Sequence, residues 1–195
     1  VIKFLKEAAL DPKVRKIKLT IYRLANNSQV AAALINAAKN GKEVTVQIEL
    51  QARFDEQANI KYANTFQEEG IKLIFGIPGL KVHTKVCFIE REEEGALKRY
   101  GFISTGNFNE STAKIYTDYT LFTAHEGILK EVNKVFDFFE VPYKINKYKH
   151  LIVSPHYTMN VFNKLIDNEI ANAIVGKPAN IKIKMNSFTS YKMVD

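Results

Sequence analysis

The chain alternates apolar runs of strand length with amphipathic stretches of helix length, and that order predicts most of its elements. Ile2 to Leu10 reads as a short helix stopped at Asp11-Pro12, and Lys16 to Leu24 alternates or runs apolar as a strand does. Asn26-Asn27-Ser28 offers capping side chains to an alanine-rich helix, Gln29 to Asn40, which closes at Gly41. A second strand, Glu43 to Leu50, precedes a helix from about Asp55 to Glu69 closed by Gly70, and Ile71 to Phe75 reads as a third strand. Strands separated by helices of this length predict right-handed βαβ units and a largely parallel sheet covered by helices.

After residue 75 the pattern changes. Gly76-Ile77-Pro78-Gly79 makes a tight loop that feeds a strand over Lys81 to Phe88. That strand ends in the charged tip Glu90 to Gly95, and Leu97 to Ser104 returns as its hairpin partner, so this part of the sheet is expected to be antiparallel. Asn107 and Asn109 fall in a turn, and Ile115 to Thr123 reads as another strand. Glu126 to Glu140 carries a helical apolar stripe through Ile128, Leu129, Val132, Val135 and Phe136, which are expected in the core. The segment from Val141 to Lys149 has no clear period and reads as a connector. The expected organisation is thus an α/β domain over residues 1–150 with a mixed sheet flanked by helices. Residues 151–195 then open a second unit, with a helix from Tyr157 to Val175, a Gly176-Lys177-Pro178 turn and a strand from Asn180 to Met185. They are too few to complete a core of normal size.

Composition narrows the setting. With 46% apolar and 25% charged residues the 195-residue chain has what a globular core needs. Lys plus Arg total 28 against 21 Asp plus Glu, a formal charge of +7, and such a field favours anionic partners: nucleic acid, a nucleotide, an anionic membrane or another polyanion. Cys87 is the single cysteine, which excludes an intrachain disulfide and a cysteine-held zinc and points to a reducing compartment. The apolar runs are strand-sized, and the N-terminal Val1 to Lys6 lacks the form of a signal peptide, so a soluble protein is expected. A chain that starts at Val1 without methionine reads as excised from something longer.

Candidate chemistry gathers at a few turns and strand ends. On a strand, His83 and Lys85 share one face and Val82, Val86 and Phe88 the other, which sets a nucleophile beside a cation, although a solvated histidine beside a lysine has the same pattern. Ligands of open α/β sheets collect at carboxyl ends of strands, where Arg23 and Arg53 follow the first two. Two guanidinium forks there would clamp phosphate oxygens; the ordinary alternative pairs them with carboxylates such as Glu49 or Asp55. Ser104-Thr105-Gly106-Asn107-Phe108-Asn109 lets backbone amides approach an anion closely, and Tyr116 suits base stacking or a phosphate contact. Asp118 is open to three roles: orienting a histidine, pairing with Arg23, or lying solvated on its strand. His125, His150 and His156 carry no comparable spacing, and Lys42-Glu43 and Glu92 to Glu94 are expected to be solvated charge. No metal-ligand cluster, Walker-type loop or Ser-His-Asp order is visible.

Four segments in one order carry a family likeness: Gln51-Ala52-Arg53-Phe54-Asp55-Glu56, Gly79-Leu80-Lys81-Val82-His83-Thr84-Lys85, Ser104-Thr105-Gly106-Asn107-Phe108-Asn109-Glu110 and Tyr116-Thr117-Asp118-Tyr119. Together they closely resemble the bacterial polyphosphate kinases of the phosphohistidine-forming type, over essentially the whole chain. The His-x-Lys pattern with a later Gly-Asn turn also resembles the wider phospholipase D superfamily. Where that superfamily's longer pattern has Asp, this chain has Glu90, which weakens a phosphodiesterase reading.

The resemblance implies a phospholipase D-like mixed sheet, the first of two such C-terminal domains, with the start of the second attached. It implies reversible transfer of the ATP γ-phosphate to inorganic polyphosphate, with His83 becoming phosphorylated and Lys85 beside it as a catalytic cation. By the same match Arg23 and Arg53 belong to a Mg²⁺-phosphate site, Tyr116 is a nucleotide contact, and Asn107 lies in the phosphate-binding turn. Arginine has no lone pair for a metal at neutral pH, so both are expected to hold the metal's phosphate. ATP or ADP and polyphosphate are then the partners, with Mg²⁺ as cofactor and no dedicated nucleic-acid partner. The full-length chain is expected to form homo-oligomers in the cytoplasm or peripherally at the inner membrane. No later His-x-Lys occurs, so half of the family's site lies outside this sequence and the isolated fragment is expected not to be fully active. Two other classes stay in view: a phospholipase D-type phosphodiesterase or nuclease, and a non-catalytic polyanion-binding module.

Overall fold

A computed structural model of the chain describes residues 1–50, 56–144, 146–185 and 187. It divides into two compact units, Val1–Asn146 and Lys147–Asp195. The first holds α1 (Ile2–Leu10), β1 (Val14–Ile21), α2 (Gln29–Lys39), β2 (Glu43–Ile48), α3 (Glu56–Glu68), β3 (Lys72–Phe75), β4 (Val86–Glu93), β5 (Ala96–Ser104), β6 (Thr120–Thr123) and α4 (Glu126–Glu140). The second holds α5 (Thr158–Ile174).

The strands form one sheet in the order β3-β2-β1-β4-β5-β6. β1, β2 and β3 pair in parallel, whereas β4, β5 and β6 join by antiparallel pairs. This is the mixed sheet that the sequence pattern calls for. β2 is buried at five of its six positions, as an interior strand covered on both faces must be. On β1 the side chains alternate: Ile17, Leu19 and Ile21 join a core with α1, α2, Ala63 and Phe66 of α3, while Lys18 turns to the face covered by α4. β4 and β5 close through the two-residue turn Glu94-Gly95, both at positive φ, the geometry that matches strand twist.

Capping side chains fix where the helices start. Ser28 accepts a hydrogen bond from the Ala31 N–H at the head of α2, and His125 Nδ1 accepts one from Ile128 N–H at the head of α4. Leu129, Val132, Val135 and Phe136 of α4 are buried as its stripe predicts, while Ile128 is half-buried.

Four expectations fail, each for a physical reason. Residues 81–85 are not in a strand, because the Thr20 hydroxyl accepts from Val86 N–H and donates to the Thr84 carbonyl, taking the place of ladder bonds just beyond the Leu19–Cys87 pair. Residues 115–119 are not a strand either. The Asn109 carboxamide oxygen accepts from the Ser111 and Thr112 N–H groups and starts the short 3-10 turn Thr112–Lys114, leaving β6 to begin at Thr120. Residues 180–185 form no strand, since no second strand among the described residues of that unit pairs with them. Lys42 is buried, not solvated: its Nζ donates to the carbonyls of Asp11 and Val14 and so ties α2 to the start of β1. Glu92 and Glu93 pair with Arg15 and Arg91 beside the hairpin turn.

At the centre of β5, Gly101 lies directly over the backbone carbonyl of Cys87 and against Leu129 of α4. A Cβ there has no room without separating the β4–β5 ladder or lifting α4. Gly101→Ala is therefore expected to cost about 1–3 kcal/mol, seen as a lower denaturation midpoint with an unchanged denaturant slope.

Candidate active site

The parallel strands deliver their connecting segments to one end of the sheet, and two buried polar side chains fix those segments. Asn59 of α3, fully buried, donates through Nδ2 to the carbonyls of Tyr22 (2.9 Å) and Glu49 (2.8 Å), and its Oδ1 accepts from Leu24 N–H (3.2 Å). One carboxamide thus holds the exits of β1 and β2 together and satisfies three backbone groups that no ladder reaches. Thr20 does the corresponding work on the other side of β1, where its hydroxyl holds the segment carrying His83. Ser104 N–H donates to the Lys85 carbonyl at 2.8 Å, so the end of β5 holds it as well.

Four side chains of the candidate site meet around a fifth. The buried ring of Tyr22 lies edge-to-face with the His83 imidazole, centroids 4.8 Å apart at 83°. Lys81 Nζ lies 5.3 Å, Lys85 Nζ 5.4 Å and the Arg23 guanidinium carbon 5.6 Å from the centre of the same ring. Each such contact is worth about 0.5–1 kcal/mol at a partly exposed position. Lys85 is buried and donates to the carbonyl of His83, two residues back, so the two are linked through the backbone and not by sharing a strand face.

This cationic setting moves both titrating groups. Withdrawal from water, first, and then the charges of Lys85, Lys81 and Arg23 hold the His83 imidazole below the ordinary histidine value. Burial, only partly offset by the charge of Asp118, lowers Lys85 to about 8. At neutral pH the imidazole is therefore neutral and nucleophilic while the ammonium is still mostly charged.

A groove of about 430 Å³ has Gly106, Asn107, Tyr116 and Asp118 in its lining, together with Ser104, whose N–H holds the Lys85 carbonyl. Tyr116 is exposed, and Asn107 Oδ1 is buried without a hydrogen-bond partner among the described residues. Asp118 takes the hydroxyl of Thr105 at 3.0 Å and packs against the α-carbon of Gly106, where any side chain would collide with its carboxylate. Its charge acts on Lys85, a role that none of the three sequence readings gave it. Glu110 caps the head of α2 through the Gln29 N–H and the Ser28 hydroxyl.

The structure thus gathers His83, Lys85 and Arg23 on one ring and places Asn107 and Tyr116 in the lining of that groove; Arg53 lies outside the described residues. Tyr22, Lys81, Thr20 and Asn59 were not singled out by sequence reasoning. Glu90 forms an ion pair with Arg99 across the β4–β5 hairpin at 3.5 Å. Among the described residues no group of three or more His, Cys, Asp or Glu side chains is placed to hold a metal, and no helix is long and apolar enough to cross a membrane.

Comparison with known proteins adds an independent line. A family model described as polyphosphate kinase C-terminal domain 1 matches residues 1–145. The chain is 47% identical over 195 residues to the polyphosphate kinase of Escherichia coli (strain K12), covering 100% of this chain and 28% of that one. It is 49% identical over 189 residues to the polyphosphate kinase of Vibrio parahaemolyticus, covering 97% and 27%. The chain therefore spans under a third of the length of the curated relatives it matches. The crystal structure of polyphosphate kinase from Porphyromonas gingivalis superposes with a TM-score of 0.77 at 39% identity, covering 90% of this chain and 29% of that one. Nuc, a phospholipase D family member from Salmonella typhimurium, superposes at 0.52 with 17% identity over 72% of this chain and 85% of its own, a likeness of fold.

Because Asn59 bonds the Tyr22 and Glu49 carbonyls at the exits of β1 and β2, Asn59→Asp, which keeps the shape but turns an oxygen toward two carbonyls, is expected to cost at least about 2 kcal/mol. Denaturant unfolding measures that loss, and faster hydrogen exchange at the Leu24 amide would locate it.

Proposed function

The chain belongs to the polyphosphate kinase family through that family's C-terminal domain 1, and from this premise we propose that it carries the phosphate-accepting half of an ATP:polyphosphate phosphotransferase. The observation that supports it most is a neutral imidazole, His83, held among Lys81, Lys85 and Arg23.

In the first step a ring nitrogen of His83 attacks the γ-phosphorus of ATP in line. The N–P bond forms as the bond from phosphorus to the β–γ bridging oxygen breaks, and the electron pair leaves with ADP. In the second a terminal oxygen of polyphosphate attacks the same phosphorus and the N–P bond breaks, which lengthens the polymer by one phosphate and frees His83. Read backwards, the same steps make ATP. Lys85 and Arg23 offset charge on the equatorial oxygens during both, and Arg53 is assigned the same role by family match. Tyr116 offers an exposed ring for the base, and half-buried Asn107 offers its Nδ2 as a donor to the nucleotide's phosphates.

A protein-held Mg²⁺ does not fit the described residues: the cluster is cationic, and no carboxylate or histidine group gathers around it. Magnesium accordingly belongs to the substrate, as the nucleotide's chelate, and Arg23 touches phosphate and not metal. The charge of +7 suits a polyanionic polymer. Residues 1–150 are read as the first catalytic C-terminal domain and 151–195 as the start of a similar second one. The full-length protein would act as a homo-oligomer in the cytoplasm or against the inner membrane, and the missing domains would complete the site, leaving this fragment short of full activity.

In the full-length enzyme, γ-labelled ATP is expected to leave an acid-labile, base-stable label that His83→Ala abolishes; persistence of that label would overturn the reading. The rate of labelling is expected to be bell-shaped in pH. Its acid limb falls below the ordinary histidine value, as protonation removes the lone pair of His83, and its basic limb lies near 8, as Lys85 loses its charge. Lys85→Arg, whose cation does not titrate, is expected to erase the basic limb even where it lowers the plateau.

A further inference from the structure

The phosphotransfer reading assigns Tyr22 nothing, yet it is the side chain that the others touch. An active-site histidine is ordinarily aimed by a hydrogen bond from one ring nitrogen to a carboxylate or carbonyl. Here the nearby carboxylate, Asp118, is engaged with Thr105 and acts on Lys85, and no described residue forms a hydrogen bond with the imidazole of His83. What fixes the imidazole plane is the edge-to-face contact with Tyr22, at 4.8 Å and 83°. A contact of this kind sets orientation without supplying an acceptor that would stabilise the charged imidazole, so it leaves the ring free to be neutral.

The same ring faces three cations that would otherwise repel one another. Lys81, Lys85 and Arg23 all lie within 5.6 Å of its centre, and its electron-rich face attracts each of them. The backbone makes Tyr22 suited to this role, because its carbonyl is held by Asn59 and its side chain is buried.

We propose that Tyr22 is the positioning residue of this site: its ring aims the His83 imidazole and gathers Lys81, Lys85 and Arg23 on the acceptor side. The inference rests on the phosphotransfer reading and names what orders that site. It makes Tyr22 act through His83 and the cations, with the aromatic face and not the hydroxyl carrying the effect.

The test uses the full-length enzyme and two readouts: the single-turnover rate of histidine labelling from γ-labelled ATP at saturation, and the His83 titration midpoint by NMR of ring-labelled protein. Tyr22→Leu is expected to slow labelling by about 10- to 100-fold, the usual effect of a small misplacement of reacting groups. It is also expected to raise the His83 midpoint toward the ordinary value, as water and distance weaken the hold of Lys85, Lys81 and Arg23. Tyr22→Phe, which keeps the ring, is expected to hold both within about threefold of the parent. Should Tyr22→Leu fail to fold, pentafluorophenylalanine at position 22 keeps ring shape but reverses its quadrupole, and is expected to slow labelling as leucine would. Parent-like rate and midpoint in the folded leucine variant, or in the fluorinated one if leucine does not fold, overturn the inference, as does a phenylalanine variant as slow as leucine. Label that survives His83→Ala overturns the phosphotransfer reading itself; label lost in His83→Ala with a parent-like position-22 variant overturns the Tyr22 inference alone.

Discussion

Like charges crowded at one end of a sheet are the constraint that the rest of this structure answers. Arg23 and Lys85 both lie within 5.6 Å of the Tyr22 centroid, so their charges are no more than roughly 11 Å apart. At an effective dielectric near 20 that pair alone costs at least about 1.5 kcal/mol. The attraction of each cation to the ring, about 0.5–1 kcal/mol, returns part of it, and the charge of Asp118 returns more. The scaffold holds these groups in place, since buried hydrogen bonds from Asn59 and Thr20 leave the strand exits little freedom to separate. In the proposed reaction an incoming phosphate would bring the opposite charge that these cations attract.

How much of this was legible in the sequence follows from the range of the interactions. Elements set by local periodicity and caps were readable: α4 runs over Glu126–Glu140 as its stripe indicates, and the Glu94-Gly95 turn joins the expected hairpin. His83 and Lys85 stood out because they lie two apart in one segment. Strand assignments failed where a side chain took over backbone bonds, since neither the reach of Thr20 to residues 84 and 86 nor the cap of Asn109 is encoded in alternation. Lys42 looked like surface charge because its partners, the carbonyls of Asp11 and Val14, are a helix away in sequence. Asn59 is the clearest loss. A polar residue within an amphipathic helix gives no sign that it will bridge two strand exits, and only the packed sheet brings Tyr22 and Glu49 under it.

The same dependence on assembly explains why a residue as ordinary in sequence as Tyr22 lies at the centre. It follows a run of buried β1 residues and reads as the end of a core strand, and it is indeed buried. Its second role arises because the strand order sets β1 between β2 and β4, so that the exit of one parallel strand faces the entry of an antiparallel one. The switch from parallel to antiparallel pairing therefore builds the site: it places the arginine following one strand against the histidine segment leading into another.

The two lowered pKa values are consequences of one environment, and they separate the roles of the groups they belong to. Burial and neighbouring cations disfavour the charged form of both His83 and Lys85, but the starting values are four units apart, so an interval around neutrality leaves one neutral and the other protonated. In the proposed reaction, nucleophile and electrostatic partner are thus distinguished by chemistry intrinsic to imidazole and amine, with the fold moving both in the same direction. Transfer of a phosphoryl group to His83 would then reverse the local balance. Its negative charge beside Lys85 opposes the effect of burial and raises that lysine's pKa, fixing the cation in the charged form while the phosphate waits for its acceptor. In the proposed two-step transfer, that phosphoryl group would set negative charge among these cations in the state that such a transfer must hold.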